Sequence, residues 1–158
     1  MTTNTLWNYG NLNRISGTIT LLTSEDNEPV VVKVPENFQE ITTLKSALAY
    51  IFAKTNHQRI DNHPDNSGVY HKYTFITNVI YYPTAYYFDT KAQVILWAKR
   101  LMAEKFMYGL IKEFYPEGAP LLAAALDAEN KYHLRWWILH MREHMNKETN
   151  TILYSLYQ

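Results

Sequence analysis

Six histidines and fifteen carboxylates are the side chains of this 158-residue chain from which a metal site would have to be built, because it has no cysteine. Three of the histidines, His133, His140 and His144, fall within an arc of about 40° when set on a helix at 100° per residue. His140 and His144, at i and i+4, have the spacing at which two imidazoles share one metal ion. His133 stands about 10 Å further along the helix axis, too far to join them. Rings that border an apolar stripe also pack with one nitrogen hydrogen-bonded and no ion at all. The residue pattern therefore supports at most a two-histidine site, and no cofactor is expected.

The string His140-Met141-Arg142-Glu143-His144 resembles the H-x-x-E-H of inverzincin metalloproteases. That likeness covers five residues and implies a metal-dependent hydrolase. Such enzymes take a third ligand further downstream, and the last acidic residue of this chain is Glu148. His57, His63 and His71, with Asp61 and Asp65, offer ligands of the right type in the central loop, but their spacing matches no common metal motif and reads as a solvated turn. No G-x-S-x-G elbow occurs, and the five glycines form neither G-x-G-x-x-G nor a P-loop. Asp26, Asp61, Asp65, Asp89 and Asp127 lie in or beside turns and helix starts, where a carboxylate holds backbone geometry. An enzyme is the less favoured reading.

Tyrosine carries the strongest signal. Of thirteen in the chain, Tyr70, Tyr73, Tyr81, Tyr82, Tyr86 and Tyr87 cluster around Pro83. Alternation along a strand sends about half of such a cluster to each face, so one set can fill a core while the other displays phenol rings. Tyr offers large, rigid contact area with a hydrogen-bonding tip, which is why binding surfaces favour it. These six residues are the candidate partner-binding surface. Alternatively, the rings stack a nucleotide or other small planar ligand whose phosphate is held by Lys72, Arg135 or Arg142.

Positioning these groups requires a scaffold, and periodicity outlines one. Two β-branched runs flank the polar segment Ser24 to Glu28, which predicts a hairpin over 17–34. Leu44, Ala47, Leu48, Ile51 and Phe52 predict a helix over 43–55 with Thr42 or Thr43 as N-cap, followed by a loop over 57–68. Residues 69–88 read as two strands joined by a turn at Pro83. Thr90 and Gln93 form a capping box that opens a helix over 91–114, which Tyr115-Pro116 ends, and a second helix over 120–147 opens at Pro120 with no further Gly or Pro to break it. Its core face gathers Leu134, Trp137, Ile138, Met141 and Met145, and the apolar tail after Thr151 docks as a strand or a helical turn. The expected fold is a single α+β domain spanning 1–158. A mostly antiparallel sheet of about four strands packs against one short helix and a C-terminal hairpin of two long helices.

Composition narrows the function classes. Lys+Arg and Asp+Glu are equal at 15 each, and 91–148 carries 9 basic against 7 acidic residues, a net of +2. That balance is too even for a protein that lives on phosphate neutralisation, so no long nucleic acid is expected. No stretch reads as a membrane span or a signal peptide, so a cytoplasmic location is expected. The resulting expectation is a non-enzymatic binding protein: a small inhibitor, adaptor or assembly subunit acting on a larger protein. On size alone it suits the accessory proteins of viruses or mobile elements. Sparse surface charge with many aromatics also predicts a homodimer.

Overall fold

The computed structural model describes residues 7–23, 29–54, 57–60, 64–77, 85–118 and 131–157. They form an α+β fold arranged as two compact units, Met1–Ala98 and Lys99–Gln158. The division falls inside a long helix, where no change in composition marks it.

In the first unit, six antiparallel strands are ordered β3-β2-β1-β4-β5-β6. They are β1 (Trp7–Asn13), β2 (Thr18–Thr23), β3 (Val30–Lys33), β4 (His57–Ile60), β5 (Tyr73–Thr77) and β6 (Ala85–Phe88). The two halves of the sheet meet through a short seam, Trp7 opposite Ile60 and Asn8 opposite Arg59. The expected hairpin is β2–β3, with Ile19 and Leu21 fully buried on its inner face. Beside the roughly four expected strands, the described residues include two more. The first added strand, β1, precedes the hairpin and shifts register between Tyr9 and Asn11, where Gly10 interrupts the alternation that marks a strand in sequence. The second, β4, replaces part of the predicted 57–68 loop. It has one apolar residue and is strand because β1 and β5 supply backbone partners on both sides.

Between β1 and β2 the Asn13 side chain accepts from the amides of Ile15 and Ser16, at 3.0 and 3.1 Å, and Gly17 takes a φ of 68°. That is an Asx-type turn closed by the residue that bears a left-handed backbone at least cost. Helix α1 (Leu44–Lys54) starts at Thr43, whose hydroxyl accepts from the Ser46 amide at 3.1 Å while Ser46 Oγ accepts from the Thr43 amide at 2.9 Å. Every residue from Ala47 to Phe52 is buried, so this helix is inserted into the unit along its whole middle turn.

Helix α2 (Lys91–Phe114) has the bounds that its capping box predicts. Thr90 Oγ1 accepts from the Gln93 amide, and Gln93 Oε1 accepts from the amides of Asp89 and Thr90. Its first turns present Trp97 to Phe75, Tyr86 and Phe88, with ring centroids about 5 Å apart (5.0, 5.1 and 5.1 Å), and Phe52 lies 6.3 Å from Phe75. This aromatic cluster is the core beneath β5 and β6.

In the second unit, Met102, Ala103, Met107 and Ile111 line the buried stripe of α2. Among the described residues, the single helix predicted over 120–147 does not run unbroken to 147. Helix α3 (Lys131–His140) stops at Met141, a 3-10 turn spans Arg142–His144, and α4 (Lys147–Leu156) follows. The break needs no Gly or Pro because Asn146 caps a new helix, its side chain accepting from the Thr149 amide at 2.7 Å. Residues 120–130 lie outside the described residues. On the predicted core face Ile138 and Met141 are buried and Trp137 and Met145 half-buried, while the Leu134 side chain lies outside the described residues. The C-terminal tail docks as part of α4. Tyr157 is fully buried and donates its hydroxyl to the Arg100 carbonyl at 3.3 Å, and Arg100 Nε donates to the Leu156 carbonyl at 2.8 Å. Burial pushes the Tyr157 phenol well above its ordinary pKa, with the Glu104 carboxylate adding to the shift and Arg100 opposing it.

Candidate functional site

Residues 64–71 form a turn built on one carboxylate. Pro64 bridges Tyr70, and Asp65 Oδ1 accepts from the Ser67 hydroxyl at 2.6 Å and from the amides of Ser67 and Val69 at 2.9 and 3.0 Å. Gly68 supplies the left-handed backbone at φ 84°. Asp65 Oδ1 is thus occupied by its own turn. The other carboxylate oxygen, Oδ2, meets His71 Nε2 at 2.7 Å, and His71 Nδ1 meets Asp89 Oδ1 at 2.9 Å. The Tyr87 ring packs on the imidazole at 5.2 Å and its hydroxyl donates to the Pro64 carbonyl at 3.3 Å.

An imidazole held by a carboxylate at each nitrogen is best served as the imidazolium, which donates to both. The bond to Asp65, then that to Asp89, raises the His71 pKa above its ordinary value, against a smaller opposing effect of desolvation. The Ser67 hydroxyl, then His71 and the Val69 amide, hold the Asp65 carboxyl well below its usual range. With both ring nitrogens engaged, His71 has none left for a metal or a substrate proton. Its geometry is that of a clamp.

The six predicted contact tyrosines separate. Tyr70 is exposed at 60%, beside Val69 at 52%, on the clamped turn. Tyr73 is corrected from contact residue to core: it is 4% exposed because its register partner Phe88 and neighbour Phe75 share its face of the sheet. Tyr86, opposite Phe75, stacks on Trp97 and is half-buried, and Tyr87 on the other face meets His71. Tyr81 and Tyr82 lie outside the described residues, as do His63 and Asp61.

A second constellation occupies α3 and the turn after it. Trp136 and His140 stack almost parallel, 4.8 Å apart at 9°, and Trp137 meets both edge-on. Tyr115 lies 5.4 Å from His140 and 6.5 Å from His144, and His144 stacks on Phe114 at 3.9 Å. Six rings are therefore linked in one chain. Trp136 is 55% exposed, Leu139 47% and Phe114 43%, with Arg135, His140, Arg142 and His144 exposed among them. The exposed side of α3, from Arg135 and Leu139 round to Trp136 and His140, carries no carboxylate.

Sequence spacing brings His140 and His144 together through a continuous helix, and that helix is broken at Met141. The two imidazoles sit on different elements, each laid against an aromatic ring, and the His133 side chain lies outside the described residues. No group of three His, Asp or Glu side chains capable of holding a metal occurs among the described residues. Of the proposed phosphate contacts, Lys72 belongs to the first unit, its ammonium 5.7 Å from the Tyr73 ring, and Arg135 and Arg142 belong to the second. A groove of about 410 Å³ between the β1–β2 turn and the end of α1 is lined by Arg14 and Lys54 with Leu12, Gly17 and Val34, and among the described residues no aromatic ring lines it. No helix of the described residues is long and apolar enough to cross a membrane. No protein-family model, curated protein or solved structure matches this chain.

Proposed function

We propose that the protein is a binding module, a small inhibitor, adaptor or assembly subunit, that engages a larger protein through the aromatic face of α3 and the turn after it. The observation that carries this reading is the exposure of Trp136, Leu139 and Phe114 within a continuous chain of rings. Large apolar side chains left half in water are costly in a monomer unless a partner covers them. Stacking on His140 and His144 holds the anchors rigid before contact, so little side-chain entropy remains to be lost on binding. Trp, Tyr and Arg are the residue types that dominate interface energetics. Within the contact surface expected from Tyr70 to Tyr87, Tyr86 is engaged by Trp97 and Tyr87 by His71.

Substituting Trp136 and Leu139 together by Ser tests the reading, since both side chains are exposed and the fold loses little by their removal. Capture of the native partner should fall by at least about 30-fold, the equivalent of one interface hot spot of ~2 kcal/mol. Undiminished capture by the double variant contradicts it. A second copy of the chain can occupy the same face, and sedimentation of wild type and double variant distinguishes that homodimer from a heterologous partner.

A further inference from the structure

We propose that His71 is a pH switch: its imidazolium ties the 64–71 turn, and with it the exposed pair Val69 and Tyr70, to the start of α2, and loss of one proton unties it. The geometry has three parts. Asp65 holds the turn together and one ring nitrogen at 2.7 Å. Asp89, at the junction of β6 and α2, holds the other at 2.9 Å. The Tyr87 ring on β6 covers the imidazole and bonds back to Pro64. Asp65, Asp89 and Tyr87 are thus titratable groups that face the ring. The chain neighbour Lys72 turns its ammonium to the Tyr73 ring.

A neutral imidazole has one N–H and one lone pair, so it can satisfy only one of two facing carboxylates and sets its lone pair against the other. Asp65 also accepts three bonds from its own turn and is the less exposed partner, at 23% against 63% for Asp89. The proton therefore leaves from the Asp89 side to water, and the bond given up is the one that reaches outside the turn. Once the turn loses its anchor on the α2 start, its own bonds through Asp65, among them those from the Gly68 and Val69 amides, open more readily. Val69 and Tyr70 are then held in one place at mildly acidic pH and released as the solution becomes alkaline.

The sign follows from linkage. A histidine whose pKa is raised in the closed state contributes its full stabilisation below the open-state value, about 6.5, and loses it as pH rises through the closed-state value. Opening of the turn should therefore be constant below about pH 6.5 and rise above it by up to tenfold per pH unit, levelling off once His71 is neutral in the closed state as well.

The full chain, isotope-labelled, is followed by NMR from pH 5 to 9 with His71 titrated directly. Amide exchange at Gly68 and Val69 is measured in parallel and corrected for its intrinsic pH dependence. Protection should fall above pH 6.5 in wild type. Asp89→Asn should lower the His71 pKa and shrink the fall, and His71→Gln should make protection independent of pH. Should His71→Gln fail to fold, Asp89→Asn decides alone. Flat protection in wild type, or an Asp89→Asn profile identical to wild type, overturns the proposal.

Discussion

Replacing Tyr157 by phenylalanine and by alanine separates the two ways this residue ties the C-terminal turn to α2. Its ring is fully buried, and its hydroxyl reaches the Arg100 carbonyl at 3.3 Å, a long bond. A buried tyrosine removes on the order of 150–250 Å² from water, worth ~4–6 kcal/mol at ~25 cal/mol per Å². Aromatic-to-alanine truncations in cores cost about 3–5 kcal/mol, so Tyr157→Ala should lose ~4 kcal/mol. It also removes the ring beneath the Arg100 guanidinium, 5.3 Å away. Tyr157→Phe keeps the ring and leaves the Arg100 carbonyl short of one long hydrogen bond, a loss of about 0.5–1 kcal/mol. In a chain of this size ~4 kcal/mol corresponds to about 8–16 °C in Tm and the smaller loss to a few degrees. Urea titration followed by circular dichroism, with a thermal scan alongside, measures both variants. An alanine variant within about 1 kcal/mol of wild type, or a phenylalanine variant as unstable as alanine, refutes the reasoning that the buried ring dominates.

Phe75→Ala should cost ~3–5 kcal/mol in the same titration, because its ring is the one that Phe52, Phe88 and Trp97 all contact. Thr74 is fully buried and its hydroxyl has no hydrogen-bond partner among the described residues. Thr74→Val should therefore stabilise by about 1 kcal/mol, and destabilisation would show that the hydroxyl is satisfied. Gly17→Ala should cost ~1–2 kcal/mol although space around its Cα is open, since the penalty lies in φ 68° and not in a clash. At acid pH the sign reverses relative to His71. Asp65 is held below its ordinary 3.8, so its stabilisation is present above that value and lost as pH falls through the lower folded one. Urea midpoints between pH 2 and 5 should fall less steeply in Asp65→Asn than in wild type.

Where a local signal and a tertiary one coincide, the sequence is a reliable guide. The Thr90–Gln93 capping box and the Tyr115-Pro116 stop bracket α2 correctly, because caps are decided by residues within one turn of each other. Strands β1 and β4 escape notice for the opposite reason: their partners are remote in sequence and their own residues alternate poorly. The break at Met141 is half-legible, since Asn146 is a good cap but competes with a helical pattern that contains no Gly or Pro. Among the site residues, His71 and Asp65 read as a solvated turn because Asp89, which completes the clamp, lies eighteen residues beyond His71 and reads as a helix-start carboxylate. The aromatic face was within reach of spacing alone. Trp136 and His140 are i and i+4, the separation at which side chains on a helix meet. Tyr73 shows the limit of composition, since counting tyrosines does not tell which face of β5 a given ring takes.

The central claim is that the exposed rings of α3 are the contact surface. Quantitative affinity capture from the native source, with partner recovery compared among wild type, Trp136→Ser/Leu139→Ser and Tyr70→Ser, addresses it most directly. All three chains should show the same circular dichroism spectrum. The account predicts that the partner recovered by wild type is lost from the double variant by at least about 30-fold and kept by Tyr70→Ser. Full recovery by the double variant, with loss confined to Tyr70→Ser, would return the contact surface to the clamped turn and contradict the claim.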